Sequence, residues 1–141
     1  MNDLSQADRI ILTVPLAAGI IAFVAFQWST THVFNPKWHL HARFHAVQLG
    51  LFFIALSGIG LWLIWGSTIG LPTAAWLAAA VPIVFWGELS AALPIPGTDP
   101  SPNPANLNTF PLLGVHVRGN LFFSACMIVF SLLGSVLAIT G

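Results

Sequence analysis

The sequence predicts an all-α integral membrane protein, a four-helix bundle, and three observations support this prediction. Residues of the AVILMFWYC set make up 57% of the 141 residues, and charged residues make up only 6%, against roughly a quarter in an average soluble protein. Four basic and four acidic side chains cannot cover the exterior of a soluble domain. This shortage of charged residues excludes a water-soluble enzyme. The four basic residues also form no basic surface for phosphates, which excludes a nucleic-acid-binding protein.

The third observation is a set of long apolar segments. Within a single transmembrane domain, residues 1–141, the segments lie at about residues 10–28, 46–65, 74–93 and 114–139. At about 1.5 Å of rise per residue, a helix of about 20 residues crosses the roughly 30 Å hydrocarbon core of a bilayer. Backbone groups in lipid must bond to one another, so each segment is predicted to be a helix.

The first segment follows a short stretch that contains Asp3, Asp8 and Arg9. A secretory signal peptide begins with a positively charged region and ends at a cleavage site between small residues. Neither feature is visible here, so the first segment is expected to be a retained span.

The connections between the spans differ in character. Loop one, residues 29–44, is rich in His, Trp and basic residues, and loop three, residues 94–111, is rich in Pro and Asn. A connection as long as loop three is uncommon in a compact bundle unless it has a function. Loop three is therefore expected to be either a rigid connector or a lid over a site.

The basic residues indicate the topology. With four spans, loops one and three share one side of the membrane, which carries Lys37, Arg43 and Arg118, whereas the other side carries only Arg9. The positive-inside rule then predicts that loops one and three are cytoplasmic, as in a protein of the bacterial inner membrane.

The polar side chains of the helices gather at one depth, on the side of loops one and three. They are His39, His41, Arg43, His45, Glu88, His116, Arg118 and Asn120. An antiparallel bundle would bring them together in one pocket just under the interface. The alternative, that interfacial His and Arg side chains merely extend to the head groups, is the expected role of His32 and His39.

Helical spacing supports this pocket. His41 and His45 are four residues apart and Gln48 follows three later, so the three share a helix face. A second such row is predicted to open the fourth helix: His116, Asn120 and Ser124.

Glu88 is the one acidic residue inside a predicted span. A lone carboxylate there is costly unless it is protonated, paired or bound to a metal, so a functional role is expected first. An ion pair with Arg43 or Arg118 is the structural alternative.

Three chemistries fit these residues, and the first is haem binding. His45 or His116 would provide an axial nitrogen to haem b, and Arg43 or Arg118 would pair with the propionates at the interface. The apolar side chains around them suit a porphyrin.

The second chemistry is a divalent metal such as Zn or Fe. The predicted ligands are His41, His45, His116 and Glu88, with Gln48 or Asn120 in contact with the ligands.

The third chemistry needs no cofactor. Glu88 and His41 would act as an acid–base pair, with Asn120 beside them, on a lipophilic substrate that enters from the bilayer.

Three short motifs carry a resemblance to a known family. Ala42-Arg43-Phe44-His45 opens the second span, Gly87-Glu88 stands near the end of the third, and Ser101-Pro102-Asn103 lies in loop three. This layout resembles the styrene oxide isomerases, small four-helix membrane enzymes that bind haem b. The resemblance covers residues 38–108 and implies His45 as the iron ligand. The family's catalytic Asn and Tyr, in spans two and three, have no clear equivalents here, and the chain contains no tyrosine.

Two further likenesses are weaker. The His-Ala-Arg-Phe-His run, residues 41–45, looks like one in a family of small four-span membrane proteins. The emopamil-binding sterol isomerases pair His and Glu from neighbouring spans, and this likeness implies roles for His41, His45 and Glu88.

The function expected first is a small membrane isomerase that acts on a lipophilic molecule, with His45 holding haem or a metal. A non-catalytic accessory subunit of a membrane complex is the alternative from another class. Four short helices enclose little volume, so a homo-oligomer with the pocket at or near a subunit interface is also expected. Small residues would permit close packing between copies: Gly58, Ser131, Gly134 and Ser135.

Overall fold

The computed structural model describes residues 5–66, 68–98 and 109–140, and it confirms the predicted all-α class. The helices of this described part are α1 (Gln6–Gln27), α2 (Leu40–Trp65), α3 (Leu71–Ala91) and α4 (Gly119–Thr140). Each is long and apolar enough to cross a bilayer. The chain is therefore an integral membrane protein by the length and composition of its helices.

The helices follow one another around the bundle. Each packs against its neighbour in the chain, and α1 also packs against α4, so α2 and α4 occupy opposite corners. Two contacts show that α1 and α2, and likewise α3 and α4, are antiparallel, and the short connection between Trp65 and Leu71 reverses the chain between α2 and α3. Nη1 of Arg9 donates to the carbonyl oxygen of Ile64 at the far end of α2, and Oγ of Ser124 donates to the carbonyl oxygen of Trp86 near the end of α3. The end of α1, the start of α2, the end of α3 and the start of α4 thus lie together, and we call this end of the bundle the histidine end.

The two ends of the bundle are packed differently. Away from the histidine end, Leu12, Leu16 and Ile64 pack against small side chains of α3, namely Ala75, Ala78 and Ala79. Toward the histidine end, aromatic rings fill the space between the helices: Phe23, Phe53, Phe85, Trp86 and Phe123. Small residues let helix backbones approach closely, whereas large rings hold them apart.

Helix α2 begins earlier than the apolar pattern predicts. The predicted span starts at residue 46, but the helix starts at Leu40, where Nδ1 of His39 accepts a hydrogen bond from the backbone N–H of His41. At 26 residues, α2 is roughly 39 Å long and exceeds a hydrocarbon core of roughly 30 Å. Trp62 and Trp65 are exposed at its other end, so a membrane that has these rings at one interface would leave the first turns of α2 at the level of the opposite head groups.

The start of the fourth span is wrong in the sequence-based prediction. Residues 115–118 are not helical: β1 (Thr109–Leu112) and β2 (Val115–Arg118) form an antiparallel hairpin, and α4 begins only at Gly119. Leu113 and Gly114 both have positive φ, 49° and 82°, as a two-residue hairpin turn of type I′ requires. The hairpin turns the chain just before α4, so His116 does not form a helical row with Asn120 and Ser124.

Candidate functional site

The histidines at the start of α2 contact each other directly. Nε2 of His41 lies 3.0 Å from Nε2 of His45, and the two rings are nearly perpendicular, at 86°. Nδ1 of His45 lies 3.3 Å from Oε1 of Gln48. A carbonyl oxygen only accepts, so Nδ1 of His45 carries the proton and the lone pair of a neutral ring is on Nε2. The predicted face of His41, His45 and Gln48 is confirmed by these contacts.

The residues that flank this pair have structural roles. His39 caps α2 through its hydrogen bond to the backbone N–H of His41. Arg43 is half-buried, and its Nη2 donates to the carbonyl oxygen of Asn35 in loop one. Asn35 also orders loop one through its side chain, because Oδ1 accepts from the backbone N–H of Lys37 at 3.0 Å and Nδ2 donates to the carbonyl oxygen of Thr31 at 3.2 Å. Arg43 therefore connects the start of α2 to loop one.

An apolar groove of about 290 Å³ runs between α2 and α3. Its lining includes Leu49, Phe52 and Leu56 of α2 and Ala80, Val84 and Glu88 of α3. Phe52 is 62% exposed and Val84 is 72% exposed, so the groove opens toward the surface that would face lipid. Among the described residues that line it, Glu88 is the only polar one.

Glu88 closes this groove at the histidine end. Leu49 follows His45 by four residues and His41 by eight, so the groove continues the helix face of the histidine pair. On α3, Ala80, Val84 and Glu88 have the same spacing, and Glu88 comes last, near the end of the helix. Within the described ranges, no residue donates a hydrogen bond to the Glu88 carboxylate or forms an ion pair with it. The structure thus does not support the predicted ion pair with Arg43 or Arg118.

The predicted single pocket does not form within the described part of this chain. His116 is exposed on β2 and Arg118 is half-buried there, while Asn120 is exposed in the first turn of α4. Because α4 lies at the corner opposite α2, these residues are on the other side of the bundle from His41. No group of three or more His, Cys, Asp or Glu side chains among the described residues is arranged to hold a metal. The predicted four-ligand set of His41, His45, His116 and Glu88 is therefore not assembled.

The small residues predicted to mediate self-association mostly lie inside the chain. Ser131, Gly134 and Ser135 are buried, and a Cβ at Gly134 would come within 2.8 Å of Leu12. Gly58 is exposed, and a Cβ at this position would have no atom within 4 Å. Of the four, only Gly58 could face a second copy. The motif at residues 101–103 and most of the proposed lid lie outside the described residues.

Two contacts near the site were not predicted from the sequence. Asn35 stands in a polar loop where its hydrogen bonds have no sequence signature beyond the general preference of Asn for turns. Gly50 lies against the ring of Phe23, and a single glycine in an apolar span does not reveal which neighbour approaches it. Comparisons with protein-family models, with curated proteins and with solved structures returned no match.

Proposed function

We propose that this protein is a small membrane enzyme that binds a lipophilic molecule in the groove between α2 and α3 and isomerises it by proton transfer at Glu88. The observation that carries the proposal is the lining of the groove, which is apolar except for one carboxyl group at its histidine end. Pockets for small molecules commonly combine apolar walls with a few polar groups that orient the ligand.

Proton transfer suits a carboxyl group in these surroundings. Glu88 would take a proton from a carbon next to a double bond of the substrate. The electron pair of the broken C–H bond would form a new double bond to the neighbouring carbon, and the electrons of the former double bond would take up the proton at its far carbon. Such an isomerisation is balanced without an oxidant or a second substrate. The apolar walls would exclude bulk water, which strengthens the interactions of the carboxylate with the reacting atoms.

The histidine pair lies at the same end of the groove and at the level of the head groups. Imidazoles exchange protons readily near neutral pH. His41 and His45 would therefore connect the site to water, so that the proton on Glu88 can exchange with solvent during turnover.

Haem has no step in this mechanism. An axial ligand must direct a nitrogen lone pair toward open space, but Nε2 of His45 faces Nε2 of His41. A guanidinium nitrogen of Arg43, the predicted partner of a propionate, donates instead to loop one. Haem binding stays a prediction.

Solvent deuterium tests the proposal and does not require the substrate to be identified first. The purified chain, in nanodiscs made with a lipid extract of the cells that carry the gene, is incubated in D2O, and the lipids are analysed by mass spectrometry. We expect one lipophilic species to gain deuterium. Glu88→Gln keeps the shape of the side chain but removes the base, and it should slow the labelling by about 10²- to 10⁴-fold.

A matched pair of tryptophan variants tests the groove. Val84→Trp would fill the groove and should slow labelling, whereas Val129→Trp places the same side chain on α4, where Val129 is 60% exposed, and should leave it unchanged. The proposal is contradicted if the wild-type chain transfers no deuterium, or if Glu88→Gln labels as fast as the wild type.

A further inference from the structure

We infer that His41 and His45 form a two-nitrogen chelate for one divalent ion of the copper, nickel or zinc class. This site is smaller than the four-ligand set expected from the sequence, and it does not depend on the proposed isomerase activity. Two imidazoles four residues apart on a helix can ligate one ion from the same face.

The distance between the two nitrogens fits a shared ion. Nε2 of His41 and Nε2 of His45 are 3.0 Å apart. With metal–nitrogen bonds of about 2.05 Å, this separation corresponds to an angle of roughly 94° at the metal. An angle near 90° joins adjacent positions in square-planar or octahedral coordination, which Cu²⁺ and Ni²⁺ adopt.

A hydrogen bond already orients one of the ligands. Metal-binding histidines donate their other ring N–H to a carbonyl or carboxylate oxygen, which keeps the lone pair on the ligating nitrogen. Nδ1 of His45 faces Oε1 of Gln48 at 3.3 Å, so its free lone pair is on Nε2, the atom that faces His41. The neighbouring Arg43 directs Nη2 to Asn35 and so is anchored in loop one.

The position of the pair allows a hydrated ion to enter. His41 and His45 are both exposed, and the first turns of α2 extend beyond the hydrocarbon core. Two protein ligands leave the remaining coordination positions to water. Neutral nitrogen ligands favour Cu²⁺, Ni²⁺ and Zn²⁺ over Mg²⁺ and Ca²⁺, which prefer oxygen.

Titration of the full chain with Ni²⁺ tests the site. The protein is purified in detergent, its affinity tag is removed, and calorimetry measures the Kd for NiCl₂. We expect one Ni²⁺ per chain. His41→Ala and His45→Ala should each raise the Kd by roughly tenfold or more, because one of the two protein ligands is lost.

His116→Ala is the matched control, since it removes an exposed histidine from the opposite side of the bundle and should leave the Kd unchanged. With Cu²⁺, the electron paramagnetic resonance spectrum should show coupling to nitrogen that changes in both α2 variants. Circular dichroism verifies that the variants keep their helices. The inference is overturned if the wild-type chain does not bind Ni²⁺, or if either α2 variant binds it as the wild type does.

Discussion

Arg9 and Ile64 connect the first turns of α1 to the end of α2. Nη1 of Arg9 donates to the carbonyl oxygen of Ile64 over 2.6 Å, and the guanidinium lies 5.7 Å from the centre of the Trp65 ring. Nε1 of Trp65 in turn donates to Oγ1 of Thr13 over 2.8 Å. The last carbonyl groups of a helix have no partner within it, so a cation there is favourable.

We expect Arg9→Met to destabilise the protein. The variant keeps an apolar stem but loses the charged hydrogen bond and the contact with Trp65, which together are worth about 2–3 kcal/mol. Thermal unfolding in detergent measures the effect. Lys37→Met is the control, because Lys37 is exposed and lies outside this cluster. Equal melting temperatures for Arg9→Met and the wild type would show that the contact does not stabilise the fold.

Gly50 and Gly58 of α2 provide a second matched pair. A Cβ at Gly50 would overlap the ring of Phe23, whereas nothing lies within 4 Å of a Cβ at Gly58. Gly50→Ala should therefore lower stability by about 1–3 kcal/mol through overpacking. Gly58→Ala should raise it by about 0.5–1 kcal/mol, since alanine is the better helix former. Denaturant unfolding in detergent compares the two, and a tolerated Gly50→Ala would contradict the close packing of α1 on α2.

His32 in loop one should make stability depend on pH. Burial lowers the pKa of His32 below its usual value of 6.5, against a smaller opposing effect of a hydrogen bond to the backbone of Phe26. The unfolded chain therefore takes up this proton at a higher pH than the folded chain. As pH falls below about 6.5, His32 binds a proton in the unfolded state but not yet in the folded state, so the free energy of unfolding decreases.

The variant His32→Gln isolates this contribution from that of the other histidines. Melting temperatures of the wild type and the variant are compared between pH 8 and pH 5. The difference between them should be constant above the usual pKa of histidine and should shift in favour of the variant at acidic pH. A difference that does not change with pH would show that His32 does not contribute.

Glu88 should be dispensable for stability. Its carboxylate has no hydrogen bond or ion pair with any residue in the described ranges, and it closes an apolar groove. Glu88→Leu should therefore leave the melting temperature unchanged or raise it, as is common for residues kept for function. Ser124→Ala is a contrasting variant, because it loses the hydrogen bond to the carbonyl oxygen of Trp86 and should lower the melting temperature. Clear destabilisation by Glu88→Leu would favour a structural role for the carboxylate.

Much of the fold follows from local patterns. The lengths of the apolar segments predict the four spans, and the polar residues next to these segments predict that one end of the bundle is polar. The boundaries were less accurate, because hydropathy marks the part of a helix in lipid and not its hydrogen-bonded ends. Helix α2 therefore extends out to Leu40, and the hairpin before α4 was missed, since two short strands have too few residues for a periodic signal.

Part of the candidate site was also predicted from the sequence. The spacing of His41, His45 and Gln48 predicted a shared helix face, because side-chain direction along a helix is a local property. His116 was grouped with them by depth alone, but it lies on β2, and common depth in a membrane does not determine which helices are neighbours. The resemblance to styrene oxide isomerases stays a prediction.

The sequence alone determined that this protein is a membrane-spanning helical bundle with its histidines at one end, because apolar length and helical period depend only on residues close together in the chain. The tertiary structure decided the order of the helices around the bundle. That order depends on contacts between distant residues, such as Gly50 with Phe23 and Gly134 with Leu12. This order places α3 beside α2 and places α4 at the corner opposite α2. Glu88 of α3 therefore closes the groove that continues the helix face of His45, whereas His116 lies on the hairpin that precedes α4.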